Sequence, residues 1–94
     1  MTAERAKSTI FIDNDRVRVL EWRFAPGAEV GHHHHGLDYV VVPIMDGEIR
    51  VVTSEGESVN RLRVGRPYFR EAGVEHNVIN ANDGEFAFIE VEIK

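Results

Sequence analysis

The chain has no cysteine at any of its 94 positions. Disulfides, thiolate metal ligands and cysteine nucleophiles are therefore excluded together. Long apolar runs are also missing. The longest, Tyr39 to Met45, is seven residues and carries Pro43, whereas a membrane-crossing helix needs about 20. No basic cluster exists beyond Arg61, Arg63 and Arg66, and 11 basic against 16 acidic residues give a net charge of −5. Nucleic acid and anionic membrane surfaces are poor partners for such a chain. The opening Met-Thr-Ala-Glu-Arg-Ala-Lys lacks the apolar core of a secretory signal, so a cytoplasmic protein is expected. What is present belongs to a folded chain: 43% apolar, 29% charged and 9% aromatic residues. That excludes disorder, and the length predicts one domain over residues 1–94 with a modest core.

Glycine and proline punctuate the sequence about every eight to twelve residues, the spacing of an all-β sandwich or barrel. Alternation predicts strands at 9–12, 17–24, 39–42, 48–53, 59–64, 68–70, 74–80 and 86–93. In the second, Arg18, Leu20, Trp22 and Phe24 share a face; in the last, Phe86, Phe88, Glu90 and Glu92 do. Asp46-Gly47 reads as a tight hairpin turn, and Ser54 to Ser58 as a longer one. Only residues 2–7 read as weakly helical. The expectation is eight or nine antiparallel strands, closed on themselves so that few edges stay open.

Four of the five histidines are consecutive, His32 to His35, and the fifth is His76. In an extended segment His33 and His35 share one face and His32 and His34 the other. Two imidazoles at i and i+2 are spaced to grip one cation, and a barrel can bring His76 alongside. Three neutral imidazoles plus water make an open site. Two readings stand at this point: a metal centre, or a solvated histidine turn with His76 as a hydrogen-bonded core residue.

Two motifs then stand out. Gly27-Ala-Glu-Val-Gly-His-His33-His-His35 runs on through Val40 to Gly47, and Gly65 leads through Glu71 and Gly73 to His76 and Asn80. The chain resembles a small single-domain cupin, whose motifs are G-x5-H-x-H-x3,4-E-x6-G and G-x5-P-x-G-x2-H-x3-N, and the resemblance covers nearly its whole length. Val40 stands where the first motif has glutamate, and Glu71 where the second has proline. The resemblance implies an all-β, double-stranded β-helix barrel of two facing antiparallel sheets. It also implies a divalent transition metal (Fe, Mn, Ni or Zn) held by His33, His35 and His76 inside one end, with His32 and His34 pointing away.

A site of three imidazoles and no carboxylate leaves the ion its full charge, which favours an anionic substrate and open coordination positions. Three-histidine cupins that oxygenate thiols or diketones work this way, and dioxygenase-type chemistry on a small anionic molecule is the function the resemblance implies first. Isomerase or lyase chemistry at the same metal, or a non-catalytic ligand- or metal-binding module, are the alternatives. Short bacterial cupins of this kind are associated with amine and β-alanine breakdown.

Around the histidines, Asp38, Tyr39, Val40, Tyr68, Arg70, Asn80 and Glu90 are candidate pocket residues. Asp38 shares parity with Val40 and is a weak substitute ligand. Asn80 fits the motif, with satisfaction of backbone at the strand end as its preferred role. Glu90 and Glu92 are general-base candidates if their face looks inward and ordinary edge-strand charges if it looks outward; the outward reading is preferred. A homodimer is expected, with the apolar Ile10-Phe11-Ile12 as its seam.

Overall fold

Strict apolar–polar alternation over short segments makes this chain fold as strands, and the computed structural model, which describes residues 4–94, contains nine. In chain order they are β1 (Lys7–Asp13), β2 (Val17–Phe24), β3 (His33–His34), β4 (Asp38–Pro43), β5 (Gly47–Thr53), β6 (Gly56–Leu62), β7 (Tyr68–Arg70), β8 (Glu75–Asn80) and β9 (Phe86–Ile93). They form a five-stranded sheet, β1-β2-β9-β4-β7, and a four-stranded sheet, β3-β8-β5-β6. All seven strand pairings are antiparallel. The expected all-β barrel of two facing sheets is what forms. No helix long and apolar enough to cross a membrane is found among the described residues.

Two local expectations are corrected. The weakly helical reading of residues 2–7 fails where it can be seen; residues 2 and 3 lie outside the described residues. Arg5 forms a parallel bridge with Glu29, Ala6 N donates to Glu29 O at 2.8 Å, and Lys7 already belongs to β1. Six residues cannot nucleate a stable helix alone, and the open backbone edge at Glu29 offers them partners instead. The turn after β5 is also shorter than its polar composition suggests. Thr53 pairs directly with Gly56, so only Ser54 and Glu55 turn the chain. Gly56 has a φ of +132°, which favours glycine there.

The core fills one end of the barrel. Phe24, Phe86 and Ile49 are essentially inaccessible to solvent, and Phe88, Val41, Leu62 and Val78 pack around them. Gly47 is required by this packing, since a Cβ there would stand 2.8 Å from the Phe86 ring. Asn80 closes the same end. It is buried; its Nδ2 donates to Ala25 O at 3.1 Å and Gly84 O at 2.9 Å, and its Oδ1 accepts from Asn82 N at 2.9 Å.

Candidate metal centre

The opposite end is open, and the histidines line it. Strand pairing places His33 directly across from His76, so their imidazoles leave the β3–β8 ladder on the same side. His35 lies just beyond β3 but is held by two backbone hydrogen bonds: its N donates to Val74 O at 2.8 Å, and its O accepts from Gly73 N at 2.8 Å. Gly73 reaches that position with a φ of +101°, the left-handed region a side chain would resist.

The three Nε2 atoms converge. His33 Nε2 is 2.8 Å from His35 Nε2, which is 3.1 Å from His76 Nε2. The donor set fits a transition metal: two nitrogens about 2.1 Å from one ion and at right angles to each other stand about 3.0 Å apart. Tautomers agree with this use. His33 Nδ1 lies 2.7 Å from Gly31 O, a carbonyl that can only accept, so the proton sits on Nδ1 and Nε2 keeps its lone pair. Gly31 is itself fixed, its N donating to Asn77 Oδ1 at 2.9 Å. Burial holds His35 and His76 at a pKa of about 4, and the His33 imidazole packed against both further disfavours a proton on either. Both are therefore neutral near pH 7, the form that binds metal.

The imidazoles open into a cavity of about 460 Å³ with aliphatic walls that include Val41, Ile49, Val51 and Val78. Compared with known proteins, residues 20–92 match the cupin domain family. The chain belongs to the cupins. This cupin is 57% identical over 90 residues to the Pseudomonas aeruginosa protein named beta-alanine degradation protein BauB, covering 96% of this chain and 95% of that one. A cupin domain of known structure from Bordetella pertussis Tohama I superposes with a TM-score of 0.97 at 52% identity, covering 100% of this chain and 98% of that one. An RmlC-like cupin from Methanocaldococcus jannaschii shares the fold at 14% identity, with a TM-score of 0.78 over 97% of this chain and 82% of its own.

The remaining pocket candidates divide. Tyr39, Tyr68, Arg70 and Glu90 line the cavity of this cupin; Asp38, Val40 and Asn80 do not. Asp38 is exposed and accepts from Ala72 N at 2.8 Å. Val40 pairs with Val91 and Phe69, and strand alternation turns it away from the core that Tyr39 and Val41 enter. Motif spacing puts Val40 at the glutamate position, yet the side chain this strand presents to the histidines is Tyr39. Its ring stacks on His35, 4.0 Å between centroids and 20° from parallel. Burial raises the Tyr39 phenol well above its ordinary range, so it supplies no anionic ligand. His32 lies on the surface, its Nε2 3.9 Å from a Glu75 oxygen, whereas His34 borders the cavity mouth.

The preferred outward orientation of Glu90 and Glu92 is overturned. β9 is not an edge; it lies between β2 and β4. Phe86 and Phe88 enter the core, so alternation carries Glu90 and Glu92 inward as well. Glu90 is only 6% exposed, and its Oε1 lies 3.5 Å from His35 Nδ1. Burial and then the Glu92 charge push its pKa up to about 7, against a hydrogen bond from Trp22. The signal was available in the sequence, because two phenylalanines on one face of a strand already point to the core. Tyr39 over His35 and Gly31 behind His33 left no such signal, since both contacts depend on how the irregular backbone between residues 31 and 39 bends.

Proposed function

We propose that this cupin binds one divalent transition metal through His33, His35 and His76 and acts there on a small carboxylate, with dioxygenase-type chemistry as the first reaction to test. The convergence of three Nε2 atoms at 2.8 and 3.1 Å carries the metal reading. An ion held there supplies a Lewis acid and, if redox-active, one-electron chemistry. The chain's own residues select the charge of what enters. Arg70 lies opposite Tyr39 in the β4–β7 ladder, lines the cavity, and has no carboxylate partner among the described residues. Its guanidinium is braced 4.5 Å above the Tyr68 ring. An unpaired, braced guanidinium suits a carboxylate, which it can hold in two hydrogen bonds. β-Alanine, named in the relative from Pseudomonas aeruginosa, is a small molecule of that class, and we extend a role in such breakdown to this chain.

Elemental analysis of untagged protein purified without a nickel column tests the reading. About one transition metal per chain is expected, lost in His33→Ala and His76→Ala while the strand spectrum survives. Oxygen uptake with small carboxylates should fall in Arg70→Ala with the metal retained. Folded protein that refuses added iron, nickel and zinc would remove the metal centre and leave a ligand-binding barrel.

We also propose that two copies pair through β1. Ile10, Phe11 and Ile12 are 56%, 53% and 48% exposed on an edge strand, a liability unless covered. A light-scattering mass of one chain at micromolar concentration would remove this pairing.

A further inference from the structure

The metal reading above is the ground for one more assignment. The cavity holds no carboxylate among its three converging ligands, yet a buried carboxylate stands behind one of them. Glu90 Oε1 is 3.5 Å from His35 Nδ1, on the far side of the ring from the Nε2 that meets His33 and His76. Tyr39 stacks on the ring face, so rotation that would carry Nδ1 away from Glu90 is obstructed. Trp22, on the neighbouring strand β2, lines the same cavity as the carboxylate. His33, by contrast, is backed by the neutral Gly31 carbonyl.

We propose that Glu90 is a positioning residue for His35: its ionised carboxylate faces the Nδ1–H, which keeps its proton, and places a negative charge behind that imidazole, supplying from one bond further out the charge that a carboxylate ligand would bring directly. Carboxylates behind metal-binding histidines fix the tautomer, hold the ring plane and raise the basicity of the ligating nitrogen. No other described ligand has such a partner within ion-pair distance, so His35 is the anchor of the three. His32 meets Glu75, but on the surface.

A competing arrangement uses the same atoms. His35, Glu90 and Glu92 together offer donors within 4.8 Å of one another, close enough for a second cation. The neighbours favour a proton at Nδ1 instead. Glu92 lies 3.7 Å from Arg18 Nε, which offsets its charge. A cation on each ring nitrogen would also require His35 to become an imidazolate, losing a proton that neutral imidazole holds near pH 7.

The test titrates Co2+ into the metal-stripped full chain against a chelating indicator, with wild type, Glu90→Gln, Glu90→Leu and Glu92→Gln compared. Glu90→Gln keeps a hydrogen-bond acceptor and removes only the charge; about 10-fold weaker Co2+ binding is expected, and nearer 100-fold for Glu90→Leu. Glu92→Gln should stay within about 3-fold of wild type. In Co2+-loaded protein, the exchangeable, paramagnetically shifted N–H proton of His35 should move in Glu90→Gln, which a purely structural role would leave in place. If Glu90→Gln does not fold, Glu90→Asp takes its role, with the charge kept but drawn back by one methylene and binding several-fold weaker. Equal affinity in the wild type and folded Gln and Leu variants overturns the assignment. So does a second equivalent of Co2+ that Glu92→Gln abolishes. Folded wild type that takes up no Co2+ is a separate result, because it removes the metal centre itself.

Discussion

The two ends of the barrel are made by the same strands and do opposite things. Along the inner face of β9 the residues run Phe86, Phe88, Glu90, Glu92; along β8 they run Asn80, Val78, His76; along β2, Phe24, Trp22, Leu20, Arg18. Within about 10 Å of strand, apolar side chains that favour burial give way to titratable ones that oppose it. The closed end holds the fold by filling its volume. At the open end the desolvation that keeps His35 and His76 neutral and raises Glu90 works against the charged forms, so that end contributes chemistry rather than stability. The candidate site sits where the core stops.

Substitutions at either end should therefore separate the two properties. The largest effect is expected at the open end: His76→Ala should abolish metal retention after dialysis, measured by elemental analysis, with a denaturant midpoint for the metal-free protein equal to or above that of wild type. Phe86→Ala at the closed end should do the reverse. Truncating this fully buried ring costs about 3–5 kcal/mol, read from urea unfolding, while the protein that remains folded keeps its metal stoichiometry. Asn80→Ala tests the polar seal of the same end. It removes the partner of the Gly84 carbonyl and of the Asn82 amide and one of the two donors to the Ala25 carbonyl, at a cost of about 1–3 kcal/mol and again with metal retained. A variant that lost metal and stability in proportion would break the separation.

The pH dependence of the metal-free protein sharpens the contrast with the smallest of these effects. His35 and His76 titrate at about 4 when folded and near 6.5 when unfolded. Their contribution is complete above pH 6.5 and is lost as pH falls toward and through 4. Glu90, raised to about 7, has the opposite sign. It contributes fully below about pH 4.5, the ordinary carboxylate range, and that contribution is lost as pH rises through 7. Two histidines outnumber one glutamate, so stability should fall on acidification between pH 6.5 and 4.5 with a net proton count near one, about 1.4 kcal/mol per pH unit at most. Denaturant midpoints across that range check the sign. In His76→Ala the histidine and glutamate contributions should nearly cancel and the slope flatten.

Much of this was legible in the sequence. The eight-to-twelve-residue punctuation, the alternation in β2 and β9, and the spacing of His33, His35 and His76 within two motifs pointed to the barrel and to which imidazoles could meet. Those signals are local: turn chemistry and side-chain parity act over a few residues, and a chain need not be folded for them to be read. The N-terminal segment was misread because its partner, Glu29, is supplied from another part of the chain. Tyr39 and Val40 were both pocket candidates, and only the sheet decides that Tyr39 faces inward while Val40, at the motif's glutamate position, does not.

What the sequence determined by itself, then, is eight of the nine strands, the polarity of each strand's two faces and the set of imidazoles. Tertiary structure alone decided that β9 lies between β2 and β4, which turns Glu90 from an edge charge into a buried neighbour of His35. It also decided that Tyr39 covers His35 and that Arg70 lines the same cavity with no carboxylate partner among the described residues. The reason is physical. Alternation fixes which residues share a face, but burial and electrostatics depend on what the opposite face and the neighbouring strand bring, and those come from distant positions, as Glu90 comes to His35 and β9 comes to β2.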